Sequence, residues 1–284
     1  MPVASFMTLP PKISSTSVSR ALAASGLVPF EARILLGHVL RCNRAWLSAH
    51  GDETIPAREA KAFDALARRR RDGEPVAYLT GRREFYGLDL EITPDVLIPR
   101  PETELLVELA LVRIDADEHA EILDLGCGSG AIALAIASER PNSTVLGVDV
   151  SLAALELARR NASRLNLGNA TFIESDWFGA VPTRRYRAIV ANPPYVRAGD
   201  PHLREGDLRF EPPAALAAGP DGLSAIRTIV AGAAGYLAPG AWLLVEHGYD
   251  QAEAVQAMFR DAQFTDVQSR RDLAGIPRTT LGHA

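Results

Sequence analysis

Cysteine is scarce. The 284 residues hold only Cys42 and Cys127, too few for a disulfide framework or a cysteine-rich zinc cluster, so no metal is expected. Long apolar runs are lacking too. The purest, Ala131-Ile132-Ala133-Leu134-Ala135-Ile136-Ala137, falls far short of the roughly 20 residues a bilayer span needs. Met1 to Ser19 carry prolines and a Ser/Thr cluster but no apolar core of signal-peptide length. These absences lead to the expectation of a cytoplasmic protein with no membrane partner. Basic charge is also in short supply, and it is unevenly spread. Residues 1–88 hold 13 Lys/Arg against 8 Asp/Glu, and the remainder 17 against 27, for a net charge of −5. An acidic larger part without a basic, aromatic-interleaved stretch is not the surface of a general nucleic-acid binder. The mildly basic smaller part suits docking on a charged partner, or is ordinary surface variation.

With 47% hydrophobic and 23% charged residues the composition is globular, and the length allows one large domain or two ordinary ones. Residues 16 to about 73 read as helices. Ser17 or Ser19 caps a first helix ending near Gly26, and Pro29 opens a second whose Ile34, Leu35, Val39 and Leu40 share a face. Pro56 opens a third, closing at Gly73 behind Arg68-Arg69-Arg70-Arg71. Four arginines in a last turn complement the helix dipole, with contact to an acidic partner as the other reading. Gly73 to Gly81 reads as turn chemistry around an apolar centre. Glu84-Phe85-Tyr86 and Leu88 to Ile92 flank Gly87 and alternate as a hairpin does. The expected division is a helical domain over 1–80, a hairpin linker over 81–98 and a larger domain over 99–284.

From Glu121 strands alternate with helices, which predicts an α/β domain with a doubly wound, mostly parallel sheet. Strands are expected at Glu121–Leu125, Thr144–Val148, Ala170–Ile173, Ala188–Ala191 and Ala241–Glu246. Helices are expected at Ala131–Glu139, Leu152–Asn166, Leu223–Leu237 and Gln251–Phe259, with a terminal strand pair over Thr265–Arg270 and Thr279–His283.

The candidate chemistry sits where those strands end. The first runs into Gly126-Cys127-Gly128-Ser129-Gly130, a turn that lets the backbone pass under a ligand ahead of a helix N-terminus. Its G-x-G-x-G spacing is not that of a dinucleotide fingerprint. Cys127 reads as a small turn filler. Asp149, 23 residues after Gly126, can accept from both hydroxyls of a ribose, while Ser151 can cap the next helix. Asp176-Trp177 offers a carboxylate and an aromatic face to an adenine, or is a turn aspartate beside a core tryptophan. After the fourth strand, Asn192-Pro193-Pro194-Tyr195 stops the ladder and presents one amide side chain, nearby carbonyls and an aromatic face. The common edge suggests a ligand with an adenosine and a compact charged tail, which S-adenosyl-L-methionine fits, with the Asn192 corner receiving a methyl acceptor.

The chain resembles the class I S-adenosylmethionine-dependent methyltransferases, and within them the protein-(glutamine-N5) methyltransferases of peptide chain release factors. Beyond the glycine turn and Asn-Pro-Pro-Tyr, the resemblance rests on Gly73 to Gly81, Leu97-Ile98-Pro99-Arg100-Pro101-Glu102-Thr103-Glu104 and Ser175-Asp176-Trp177-Phe178. Asp200-Pro201-His202-Leu203, Arg209-Phe210-Glu211-Pro212 and Leu244-Val245-Glu246-His247-Gly248 add to it. It covers nearly everything from about residue 73, whereas residues 1–72 match only in helical character and Pro2 to Ser19 looks like an extra tail. The turn Gly275-Ile276-Pro277-Arg278 departs from the family's usual polar turn.

The resemblance implies a Rossmann-like seven-stranded sheet with a terminal antiparallel strand and a small N-terminal helical domain. It implies S-adenosyl-L-methionine as cofactor, held by Gly126 to Gly130, Asp149, Asp176, Trp177 and Asn192. The implied acceptor is the glutamine amide of a Gly-Gly-Gln loop in a release factor. The Asn192 oxygen and the Pro193 carbonyl would take its two N–H groups, Pro194 would stiffen the corner and Tyr195 would pack on the amide plane. A monomer with no stable nucleic-acid partner is expected, and His202 and His247 are expected to be structural. The alternatives are an N-methyltransferase acting on an exocyclic amino group of a base in DNA or RNA, and a non-enzymatic cofactor-binding module.

Overall fold

The computed structural model describes residues 16–284, and the chain divides into two compact units, Met1–Thr80 and Gly81–Ala284. The first unit is helical. A short strand β1 (Thr16–Ser17) pairs antiparallel with β2 (Thr54–Ile55) beside α1 (Val18–Ala24), α2 (Pro29–Leu40), α3 (Arg44–Ala49), α4 (Ala57–Arg71) and α5 (Val76–Thr80). Ser17 caps α1 and Pro29 takes the first position of α2, where its missing N–H costs nothing. Val18, Leu35, Leu36, Leu47 and Phe63 close on one another as the core of this unit.

Two of these helices depart from the expected pattern. α3 starts at Asn43, whose side chain accepts the Trp46 N–H at 2.9 Å. α5 occupies the stretch expected to be a turn. The Pro75 carbonyl accepts from Tyr78 and Leu79, and Ala77 and Leu79 are buried, so apolar burial outweighs the flanking Gly and Pro. Three of the four arginines ending α4 are spent internally. Arg69 pairs with Glu74, Arg70 grips Glu31 through two hydrogen bonds, and Arg71 donates to the Ser25 carbonyl. They tie helix ends together, which favours the structural reading. Of the expected tail, residues 2–15 lie outside the described residues, while Thr16–Ser19 form β1 and the start of α1.

The second unit opens with a hairpin, β3 (Arg82–Phe85) and β4 (Leu88–Glu91), then α6 (Glu104–Leu111). The alternation follows: β5 (Glu121–Leu125), α7 (Ala131–Glu139), β6 (Thr144–Asp149), α8 (Leu152–Leu165), β7 (Ala170–Glu174) and β8 (Tyr186–Ala191). It ends with α9 (Ser224–Ala233), β9 (Leu237–Glu246), α10 (Ala252–Asp261), β10 (Thr265–Arg271) and β11 (Pro277–His283). The seven strands order as β10-β11-β9-β8-β5-β6-β7, and β11, the last in the chain, runs antiparallel to both neighbours. β5 and β8 are covered on both faces, which is why they read as largely apolar runs broken only by Glu121, Asp124 and Arg187. Leu123, Leu125, Ile189, Leu243 and Val245 pack against Ile226 and Ile229 of α9 and Phe259 of α10.

The helix expected to run through Leu237 stops at Ala233 instead. The Tyr236 carbonyl accepts the Tyr186 N–H at 2.8 Å, so the β8 ladder captures the chain and starts β9 at Leu237. The hairpin expected as a linker belongs to the second unit. Asn161 of α8, fully buried, accepts the Glu91 N–H at 2.7 Å and donates to the Glu91 and Ser129 carbonyls, both at 3.0 Å. One side chain thus fastens the hairpin to the glycine turn. Among the described residues no helix is long and apolar enough to cross a membrane.

Candidate active site

The direction of strand addition reverses between β5 and β8, and a crevice opens beyond their carboxyl ends, where open α/β sheets bind ligands. A cavity of about 270 Å³ lies there. Its wall takes in Gly126, Cys127, Gly128 and Ser129 after β5, Asp149, Val150 and Ser151 after β6, Ser175 and Trp177 after β7, and Asn192 and Pro194 after β8. Asp95 to Leu97, Pro99 and Thr103 close one side, Pro212, Ala214 and Ala215 another.

The glycine turn is built to leave room. At Gly128, with φ +53°, a Cβ would meet nothing within 4 Å, so bare backbone faces open space. Gly130 serves the scaffold: at φ +82°, its Cβ would come within 3.1 Å of Ala158 and 3.2 Å of Phe172. Its absent side chain lets α7 start close against α8 and β7. Asp149 braces the turn, one carboxylate oxygen accepting the Gly128 N–H and the other the Ser151 N–H, each at 2.9 Å. Below it, Asp124 accepts the Ala133 N–H through Oδ2 at 3.1 Å and leaves Oδ1 buried without a partner. Burial pushes its pKa up to about 7; the Ala133 N–H opposes that and the Asp149 charge adds to it. Burial also holds the Cys127 thiol well above its usual range, which fits a turn filler rather than a nucleophile.

Trp177 sits at φ +46°, a conformation bulky residues rarely adopt. The Ser175 hydroxyl accepts the Ala180 N–H and donates to the Trp177 carbonyl at 2.8 Å, holding that kink.

At the far side the Asn192 Nδ2 donates to the Thr103 hydroxyl at 3.1 Å, and Oδ1 is buried without a partner. A buried acceptor left unpaired costs about 1–3 kcal/mol. Behind this corner the Tyr195 hydroxyl donates to Glu246 Oε1 at 3.4 Å, and Gln251 Nε2 donates to the Tyr195 carbonyl at 3.0 Å. Glu246 is buried, with Oε2 unpartnered, and burial pushes it up to about 7 despite the pull of Thr103, Arg278 and Tyr195. His247, also buried, is held by Thr280 and the Gly248 carbonyl, a structural setting. The loops carrying Pro99 and Pro212 are joined by an ion pair between Arg100 and fully buried Glu211, which also accepts the Ile98 N–H at 3.1 Å.

Of the expected site residues, Gly126 to Ser129, Asp149, Trp177, Asn192 and Pro194 meet on one wall, and Gly130, Asp176, Pro193 and Tyr195 do not. Asp176 is exposed and Pro193 is buried. Tyr195 turns back toward Glu246 and the sheet core, because its hydroxyl finds an acceptor there. Sequence reasoning missed Ser175, Thr103 and Val150. Val150, 61% exposed beside Asp149, was the most legible of them, an apolar residue between an acid and a cap.

Fold and site together are those of a class I methyltransferase. The Methyltransferase small domain family model matches residues 102–205, and the PrmC N-terminal domain model matches residues 16–81. The second match extends the resemblance over the helical unit, where the sequence pattern showed only helical character. The solved structure of a methyltransferase from Pyrococcus furiosus is similar in fold, at 19% identity, with a TM-score of 0.54 over 76% of this chain and 95% of its own. So is the Thermus thermophilus 16S rRNA N2 G1207 methyltransferase in complex with AdoMet and guanosine, at 20% identity and TM-score 0.53 over 71% of this chain and 49% of its own.

The sequence relatives are more specific. The release factor glutamine methyltransferase of Burkholderia pseudomallei is 53% identical over 277 residues, 95% of this chain and 97% of its own length. This chain belongs to the release factor glutamine methyltransferase family.

Proposed function

We propose that the protein transfers a methyl group from S-adenosyl-L-methionine to the side-chain amide nitrogen of the glutamine in the Gly-Gly-Gln loop of peptide chain release factors. The observation that carries this reading is Asn192, a residue of the cavity wall whose side-chain oxygen is buried and unpaired while its nitrogen is tied to Thr103. That arrangement asks for an N–H donor, and a primary amide brings two.

The cavity fits the cofactor. Gly128 offers space where a Cβ would intrude, Asp149 keeps lone pairs for ribose hydroxyls beyond its two backbone bonds, and Trp177 and Val150 supply apolar surface for a base. When bound, the cofactor supplies an electrophilic methyl group on a sulfonium.

The chain's part is orientation. An amide nitrogen is a poor nucleophile because its lone pair is delocalised into the carbonyl. Asn192 Oδ1 and the adjacent Pro193 carbonyl take its two N–H groups, aim the nitrogen, and stabilise positive charge growing on it. Tyr195 acts from behind the wall by bracing the corner, and Asp176 lies exposed outside it. Residues 99–284 form the cofactor-binding catalytic part, and residues 1–80 form the substrate-docking part. The same reading expects the enzyme to work in the cytoplasm as a monomer.

The test is transfer of label from S-adenosyl-L-methionine to release factor or to nucleic acid. Label that resists nuclease, is lost with protease, and disappears when the acceptor glutamine is replaced supports the reading. Label in nucleic acid overturns it.

A further inference from the structure

Two sides of the cavity are walled by segments far apart in the chain, 95–103 and 212–215, and neither belongs to the sheet or to an α-helix. No strand ladder sets the distance between them. The tie is one side chain, Glu211, which is fully buried. Its Oε1 accepts from the Arg100 guanidinium, 111 residues away in sequence, and its Oε2 accepts the Ile98 N–H at 3.1 Å. Both partners of the ion pair precede a proline, and that proline confines each to extended backbone. Arg100 lies at φ −97°, ψ 144° before Pro101, and Glu211 at φ −88°, ψ 152° before Pro212. Each charge therefore projects from a stiffened stretch of chain.

A buried carboxylate is a poor means of gaining stability, because its desolvation offsets most of what the ion pair returns and a well-packed apolar pair does as well. What an apolar pair does not supply is a fixed direction and spacing between two irregular loops. The surfaces joined in this way are mainly apolar, Leu97 and Pro99 on one side and Pro212, Ala214 and Ala215 on the other. We propose that Glu211 is a positioning residue which, through Arg100 and the Ile98 N–H, sets the separation of the two loops and so holds these cavity walls at the spacing the cofactor needs. The proposal rests on the reading that this cavity holds S-adenosyl-L-methionine. It gives the proline–arginine–proline run and the Arg-Phe-Glu-Pro run a shared task in cofactor binding.

The experiment uses the full chain in two assays, on variants whose circular dichroism matches that of wild type. The first is calorimetric titration with S-adenosyl-L-methionine of wild type, Glu211→Gln, Arg100→Gln and the double variant. Glu211→Gln keeps the shape but has one acceptor oxygen for two donors, and should raise Kd about 10-fold. Arg100→Gln leaves the buried carboxylate without its cation, and should raise Kd more, about 30-fold. The double variant removes that stranded charge, and its Kd should return to within about threefold of that of Glu211→Gln. The second assay needs no ligand. Trp177 lines the same cavity, and with Trp46 and Trp242 replaced by phenylalanine it is the sole tryptophan. Its quenching by acrylamide should rise about twofold in either single variant, because the loops part. A role in stability alone would leave that quenching unchanged well below the unfolding temperature.

Wild-type Kd in both single variants, losses that simply add in the double variant, or unchanged Trp177 quenching overturns the proposal. Should Glu211→Gln fail to fold, Arg100→Gln decides by its Kd and its quenching. Wild type that binds no S-adenosyl-L-methionine refutes the cofactor reading instead, and the Trp177 comparison then still decides whether Glu211 holds the loops together.

Discussion

The two ends of the cavity are built on opposite rules. At the glycine turn the half-buried wall carboxylate is already employed, since both oxygens of Asp149 hold backbone N–H groups, and only Asp124 beneath the turn keeps an oxygen unpaired. At the β8 end, buried acceptors are left open, Oδ1 of Asn192 and Oε2 of Glu246 among them. The first end is preorganised for a cofactor that visits every cycle in the same pose. The second carries the cost of unpaired polar atoms, and in the proposed reaction that cost is relieved only when the acceptor amide is in place. In the proposed reaction binding strength belongs to one end and rate to the other.

That comparison can be broken or sharpened by experiment. The largest effect is expected at the open end: Asn192→Ala should lower kcat by about 100- to 1,000-fold, roughly 3–4 kcal/mol, with cofactor affinity nearly unchanged by calorimetry. A loss of affinity with normal turnover would reverse the roles of the two ends.

Next comes the stability cost of Glu246. Burial in the folded protein pushes this carboxyl up to about 7, whereas an unburied glutamate releases its proton near 4.5. The folded state therefore binds more protons in that window, and stability falls as pH rises through it, by about 3 kcal/mol from this group alone. Glu246→Gln should flatten that part of the slope in denaturant unfolding at stepped pH, leaving the similar share of Asp124, also pushed up to about 7. An unchanged slope would mean that the carboxylate is not suppressed by burial.

Asp149→Ala comes third. It should weaken cofactor binding about 10- to 100-fold, roughly 1.5–3 kcal/mol, through lost ribose bonds and a loosened Gly128, with kcat at saturation changed far less. The smallest effect is expected at Asp176, exposed and off the wall, where alanine should shift cofactor Kd by no more than about twofold. A loss equal to that of Asp149→Ala would extend the preorganised end to β7.

Much of this was legible in the chain. The periodicity from Glu121 onward specifies strands and helices of the right kind, because β5 and β8 are buried on both faces and show it as largely apolar runs. Asn43, an N-cap in plain view, could have revealed α3. α5 and the early start of β9 could not be read locally, since each follows from a partner distant in sequence or from burial that outweighs Gly and Pro. The proline–arginine–proline and Arg-Phe-Glu-Pro runs stood out as motifs, but their joint purpose is an ion pair between Arg100 and Glu211, 111 residues apart.

The sequence by itself determined the class of sheet, the order of the site along the strand ends and the glycine, aspartate and asparagine corners. Those are local, set by hydrophobic period and by where prolines and glycines stop a strand. Only the tertiary structure decided which of those residues face the cavity. It put Tyr195 and Asp176 behind the wall or outside it, brought Thr103 and Ser175 to it, and left Oδ1 of Asn192 unpaired. The physical reason is that a side chain's direction depends on which hydrogen-bond partner it finds across the fold, and Thr103 and Asn192, 89 residues apart, meet only once the chain has folded.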